Sequence, residues 1–222
     1  AAADISTITD TVNSEVLAMS GGLGTTSSAN VGAYSLTDTS QGTLILANGP
    51  SGANQGLASN YTLTGGTQDY TITQRVLSSS GSKAYDANTN ALAADITLSN
   101  LVSGETLNHS GTASISSANA ASYTITNLAG ITLADNAGLA SNYTLTGGTH
   151  NFTVNPKVIS LSGSRLYDAT TNAVASDLTT ISGLVGSETL NLSGTGSVAN
   201  ANVASNKTVT LGTLALADNS GL

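Results

Sequence analysis

Residues 56–67 read GLASNYTLTGGT and residues 138–149 repeat that string without a change, 82 residues later. Nothing else in the chain constrains its fold as tightly. A second marker, KAYDANTNA at 83–91, returns as RLYDATTNA at 165–173 with the same spacing. A third, GETLNHSGT at 104–112, returns one residue late as SETLNLSGT at 187–195, and SEVLAMSGG at 14–22 is its diverged first copy. Self-similarity at a fixed period marks a chain built from one supersecondary unit used several times. The parse is a first repeat over 1–74 that lacks its N-terminal segment, a complete second over 75–156, and a third over 157–222 that lacks its C-terminal segment. The string begins again at Gly221 and Leu222.

Within a repeat, short runs alternate an apolar residue with Thr, Ser or Asn, as at 61–64 (YTLT), 70–73 (YTIT) and 123–126 (YTIT). A period of two predicts strands with one face buried. Clusters of Gly, Asn, Asp and Ser fall between the runs every eight to twelve residues, the spacing of an all-β sandwich. The middle repeat predicts strands over 76–80, 96–98, 106–109, 122–127, 131–133, 143–146 and 151–154. Helix is disfavoured by the density of β-branched and turn residues. Residues 91–95, with relatives at 1–4 and 173–177, could form a helical turn and are given little weight. Pro156 lacks an N–H for a sheet ladder and fits a module boundary. The fold class expected is all-β, in tandem small antiparallel β-sandwich modules. A β-solenoid uses similar residues, but no coil-length sub-repeat is present.

Composition removes several functions. Only 8% of residues are charged, yet 39% are hydrophobic and evenly spaced, which is unlike disordered chains with low hydrophobicity and high net charge. The net charge of −8 comes with five scattered basic residues, so the clusters that release counterions from nucleic acid are missing. No cysteine is present, which rules out disulfides and thiolate metal sites. No run approaches the ~20 apolar residues of a membrane-crossing helix. The start, residues 1–4, lacks an initiator Met and a signal peptide's basic and apolar regions, and the chain is expected to be a fragment.

Lys83, Tyr85, Asp86 and Ala87 with Thr89 and Ala91, the matching Arg165, Tyr167, Asp168 and Ala169 with Thr171 and Ala173, and the GLASNYTLT string together resemble the YDG repeats, related to the mostly-β glycine-rich repeats, of large bacterial haemagglutinin-like adhesins. The resemblance implies two-partner secretion, display on the outer face of a Gram-negative bacterium or release into a biofilm matrix, and a repeat region that projects a binding tip. One departure stands out: the glycine that follows Tyr-Asp in that family is Ala87 and Ala169 here. Alanine is disfavoured at positive φ, so a different turn is expected.

Candidate sites read mainly as structural. Tyr85 with Asp86 and Tyr167 with Asp168 fit a strand leaving into a turn, where Asp bonds a backbone N–H two residues on. Asn60 with Tyr61 and Asn142 with Tyr143 belong to the repeated string. Asp135 with Asn136 and Asp218 with Asn219 are weak calcium candidates, because calcium wants several oxygen donors and each loop offers one carboxylate. His109 corresponds to Leu192 and His150 to Gln68, so neither recurs as a catalytic group should, and both are expected on exposed or half-buried strand positions. Glu15, Glu105 and Glu188 do recur, as turn caps or partners of a Lys or Arg. No second acid travels with them as a glycosidase requires, and no recurring His activates a serine. Thr pairs 62/64, 71/73, 124/126 and 144/146 could line one strand face, the commonest use of Thr in sheets.

The expectation is therefore a non-enzymatic stalk or matrix-forming segment with no cofactor. Its partners would be neighbouring repeats of the same chain, with short links such as 155–157 giving a semi-rigid rod. Other copies of itself, pairing through strand edges, and extracellular polysaccharide are the alternative partners.

Overall fold

The computed structural model describes residues 1–5, 7–36 and 42–219. Gly221 and Leu222, where the string restarts, lie outside the described residues. The first repeat carries strands β1 (Leu17–Gly21), β2 (Gly32–Leu36), β3 (Leu44–Asn48) and β4 (Gln68–Ile72). The middle repeat carries β5 (Arg75–Val76), β6 (Ser78–Ala84), β7 (Asn90–Leu92), β8 (Ile96–Ser99), β9 (Asn108–Ser114), β10 (Ala121–Thr124), β11 (Ile131–Ala134), β12 (Tyr143–Thr144) and β13 (His150–Asn155). The third carries β14 (Ser160–Ser162), β15 (Asn172–Val174), β16 (Thr180–Ser182), β17 (Leu190–Ser193), β18 (Thr195–Ser197) and β19 (Ala215–Asp218).

Contacts divide the chain into two compact units. One comprises Ala1–Ser78, Leu98–His109 and Leu133–Gly148. In it β1 runs antiparallel to β3, β2 antiparallel to β4, and β5 parallel to β12. Its core gathers Leu77, Leu107 and Tyr143, with Leu98, Leu101, Leu133, Ala140 and Leu145 packed around them. Leu98, Leu133 and Tyr143 come from strands β8, β11 and β12, Ala140 from the 3-10 helix Ala140–Asn142, and the other four leucines from the connecting segments. Burying a leucine such as Leu77 stabilises by about 2 kcal/mol, and leucines must supply most of this core because the chain has no Trp and one Phe.

The other unit comprises Ser79–Thr97, Ser110–Thr132 and Thr149–Leu222. Its main sheet has the order β10-β13-β6-β8. The central β13 is antiparallel to β10 (Phe152 opposite Tyr123) and parallel to β6 (Phe152 opposite Gly81). Residues along β13 alternate inward and outward: His150, Phe152 and Val154 are buried, Asn151 and Asn155 exposed. Phe152 reaches the core because Gly81 leaves room for its ring; a Cβ on Gly81 would lie 2.9 Å from the ring and 2.3 Å from the Asp95 carbonyl oxygen. The strand β7 pairs antiparallel with β9, and β14–β16, β15–β18 and β17–β19 are antiparallel pairs.

The protein is all-β as the alternation predicts, with several small sheets and, among the described residues, no closed solenoid. Four details differ from the sequence expectations. Two pairings, β5–β12 and β6–β13, are parallel, because the long stretch between β6 and β13 provides the crossover that parallel neighbours need. Residues 90–92 form a strand that the pattern did not indicate. Residues 61–64 are not a strand: the Thr62 hydroxyl accepts the Thr64 N–H at 3.1 Å, a local bond that competes with a ladder. The helical turn given little weight forms in all three copies, as 3-10 helices at Ala2–Asp4, Ala93–Asp95 and Ala175–Asp177.

Candidate functional site

All three glutamates of the chain receive a tyrosine hydroxyl. Tyr61 donates to Glu15 Oε2 at 2.6 Å and its oxygen accepts the Val12 N–H at 3.0 Å. One repeat later Tyr143 donates to Glu105 Oε2 and accepts the Val102 N–H at 3.1 Å. The carboxylate fits because the position facing it is Gly138, whose absent Cβ would lie 2.5 Å from Glu105 Oε2. The glutamates thus bond tyrosines, and not the Lys or Arg that charge alone suggested. The third pair is made differently: Glu188 Oε1 takes its bond from Tyr85, which belongs to the preceding repeat.

These bonds shift the phenols. The hydrogen bond to Glu15 raises the pKa of Tyr61, and the one to Glu188 raises that of Tyr85. Burial is the larger cause for Tyr143, followed by its bond to Glu105. In each case ionisation would set two negative charges side by side or strand a phenolate in the core.

The Tyr-Asp segments are turns built on one plan. Asp86 accepts the Asn88 N–H at 3.2 Å, and Asp168 accepts the Thr170 N–H at 2.9 Å. Lys83, its side chain only 8% exposed, lies 2.8 Å from Asp86 Oδ1, and its ammonium also reaches the carbonyls of Asn88 and Asn90 at 2.8 Å each. Arg165 occupies the same place, paired with Asp168 and donating to the Thr170 carbonyl at 2.6 Å. The hydrogen bond from Lys83 holds Asp86 below the usual carboxylate range, and the backbone N–H of Thr170 does the same for Asp168. Alanine is accommodated at positive φ in both turns. Ala87 and Ala169 adopt φ of 60° and 59°, so the left-handed conformation is imposed by the surrounding bonds. Tyr85 and Tyr167 part company here: Tyr85 is bonded to Glu188, whereas Tyr167 is 65% exposed.

Asn142 joins the middle repeat to the first. It ends the 3-10 helix Ala140–Asn142, and its side chain accepts the Val31 N–H at 2.8 Å and donates to Asn30 Oδ1 at 2.9 Å. Asn60 ends the matching helix Ala58–Asn60. Sequence reasoning did not find Asn30 and Val31 as partners. The signal available was the recurrence of SSAN at 27–30 and 116–119, which marks Asn30 as a repeat-defined position.

The other candidates have local roles. Asp135 Oδ1 accepts the Ala140 N–H at 2.7 Å and Asn136 bonds Gly138 through its backbone, while the Asp218 carbonyl accepts from Asn191 and the Asn219 side chain donates to Thr189. Among the described residues no three His, Cys, Asp or Glu side chains gather as metal ligands. His109 is half-buried in β9. His150, expected on an exposed or half-buried position, is instead buried at 5% exposure, with Nδ1 2.9 Å from the Ser79 hydroxyl; the central position of β13 carries it inward, and the hydroxyl pairs with that ring nitrogen. Thr62/64 and Thr144/146 are spent on turns.

A YDG domain model matches residues 71–151 and again 152–221. This chain belongs to the YDG domain family. The two matched segments start about one repeat period apart, and one contains the Lys83 turn and the other the Arg165 turn. No curated protein and no solved structure matches the chain. Among the described residues no helix is long and apolar enough to cross a membrane.

Proposed function

We propose that these YDG repeats are a structural, non-catalytic segment of a secreted bacterial surface adhesin, a stalk or matrix-building element in cell adhesion or biofilm. One observation carries the reading: consecutive repeats are tied together by side chains at repeat-defined positions. Asn142 of the middle repeat holds Asn30 and Val31 of the first, and Tyr85 of the middle repeat holds Glu188 of the third. Such bonds, added to the short link through Asn155, Pro156 and Lys157, restrict the hinge that a longer linker would leave free. Nearest-neighbour coupling is how a repeat array gains stiffness from local contacts.

The polar groups that recur are the ones engaged in this bonding. Each glutamate bonds a tyrosine and each Tyr-Asp carboxylate caps a turn, so these recurring acids are engaged in bonds within the fold. Export to the outer face of a Gram-negative cell follows from the resemblance to haemagglutinin-like adhesins, with which a cysteine-free, weakly charged surface agrees. Small-angle scattering on this chain and on longer arrays tests the mechanical part: maximum dimension is expected to grow linearly with repeat number, and a compact particle of constant dimension overturns it. Antibody labelling of intact cells expressing the parent protein tests the location.

A further inference from the structure

The turn between β6 and β7 holds an amine, an amide and a carboxylate in mutual contact. Lys83 Nζ donates to the side-chain Oδ1 of Asn88 at 2.8 Å, and the lysine side chain is only 8% exposed, which shields the nitrogen from bulk water. Asp86 bridges the two groups: its Oδ1 lies 2.8 Å from Nζ, and its Oδ2 accepts the Asn88 Nδ2–H at 2.7 Å. The Asn90 N–H also donates to Asn88 Oδ1, at 2.9 Å. Two donors on that oxygen and an acceptor beside Nδ2 fix the amide, with its carbonyl toward the lysine and its NH2 toward the carboxylate. The backbone carbonyls of Asn88 and Asn90 hold Nζ in place from the other side, at 2.8 Å each.

Shaping the turn does not require these groups. In the third repeat Arg165 stands for Lys83 and Thr170 for Asn88, yet Asp168 still caps the turn and Ala169 keeps its left-handed φ of 59°. A cation and a carboxylate suffice there. A guanidinium stays protonated and is no nucleophile, and threonine has no acyl carbon, so only the middle repeat pairs a primary amine with a primary amide. Lys207 offers a second comparison: its Nζ reaches Asn200 Oδ1 at 2.9 Å and the Asn200 carbonyl at 2.7 Å, but among the described residues it forms no ion pair with a carboxylate.

We propose that the Lys83 and Asn88 side chains join in an intramolecular isopeptide bond, formed by the folded turn itself with Asp86 as general acid and base. Asp86 takes a proton from the ammonium, and the freed lone pair of Nζ attacks Asn88 Cγ. The carbonyl electron pair moves onto Oδ1, where the Asn90 N–H stabilises the oxyanion. Asp86 passes its proton to Nδ2, the Cγ–Nδ2 bond breaks and ammonia leaves. The carboxylate then collects the second proton from Nζ and yields it to the ammonia, so ammonium is released and Asp86 ends ionised. No oxidant or other reactant is consumed. Holding amine and carbonyl together supplies the effective concentration that such an attack needs, and proton transfer at both nitrogens by one positioned carboxylate is ordinary general acid–base catalysis. The product staples the end of β6 to the start of β7, whatever role the array has.

Mass spectrometry of the purified 222-residue chain tests this. Cleavage after glutamate separates residues 16–105, 106–188 and 189–222. The first peptide is expected to be lighter by about 17 Da, the mass of ammonia, and the other two to have full mass. Trypsin should fail to cut after Lys83, and fragment ions from breaks between 83 and 88 should be missing. Lys83→Arg, which reproduces the Arg165 turn and so keeps the fold, should restore full mass, as should Asp86→Asn. Full mass in the unaltered chain overturns the proposal. A loss of ammonia that persists in Lys83→Arg, or that hydroxylamine reverses by cutting the chain at Asn88, also overturns it, because Asn88 would then have closed on its own backbone as a succinimide.

Discussion

Alanine in a left-handed turn is a removable strain, and Ala87→Gly measures it. Both Ala87 and its repeat counterpart Ala169 are exposed, with φ near 60°, so the substitution deletes a methyl group that touches no core. An L-residue in this conformation costs about 1–2 kcal/mol relative to the right-handed one. Glycine removes that cost but loses about 0.5–1 kcal/mol through its more flexible unfolded state. The difference is a gain of about 0.5–1 kcal/mol per site. For a folding unit of roughly 100 residues this raises the midpoint by about 2–8 °C, and Ala87→Gly with Ala169→Gly should be additive, since the sites share no bonding partner. Thermal and urea unfolding followed by circular dichroism read the effect. Ala87→Val is the opposing control and should lower stability, because a β-branched residue at positive φ is a genuine outlier. If glycine lowers the midpoint while valine leaves it unchanged, the turn is not left-handed in solution and the reasoning fails.

Three other outcomes follow from the same contacts. Phe152→Ala should cost about 3–5 kcal/mol by opening a cavity at the centre of the β10-β13-β6-β8 sheet, measured by urea denaturation. Tyr85→Phe should lower the urea midpoint by leaving the Glu188 carboxylate without its donor, while Tyr167→Phe, at the exposed counterpart, should leave it unchanged; equal effects would remove the assigned role of the Tyr85 bond. Stability should fall at both pH extremes. The depressed pKa values of Asp86 and Asp168 give a stabilisation that is complete above the unfolded value near 4 and is lost as pH falls through the folded one, a small effect because both side chains are more than a third exposed. The raised pKa values of Tyr61, Tyr85 and Tyr143 give a stabilisation complete below about pH 10 and lost as pH rises through the folded values. Phenolate absorbance should show these three ionising above the ordinary tyrosine value of about 10.

Local chemistry was legible wherever it was carried by neighbours in sequence. The Asp86 and Asp168 turns are local: the aspartate bonds a backbone N–H two residues away, and the basic side chain three positions earlier closes the same loop. The inward face of β13 was legible too, since Phe152 and Val154 alternate with polar residues. His150 was not, because its burial depends on a hydroxyl from Ser79, on a strand far away in sequence. The string at 61–64 misled for a related reason: YTLT alternates like a strand, and only the Thr62–Thr64 bond shows that the backbone donor is already used.

The repeat period, the all-β character and the membership in the YDG family were determined by the sequence alone, because each depends on residue order within a few tens of positions and recurs for comparison. Tertiary structure alone decided which repeats meet and through which atoms. A glutamate that recurs three times has no partner written beside it; Glu105 finds Tyr143 inside its own repeat and Glu188 finds Tyr85 in the one before. The pairing is set by chain crossing and by the small space at Gly138, and a linear pattern records neither.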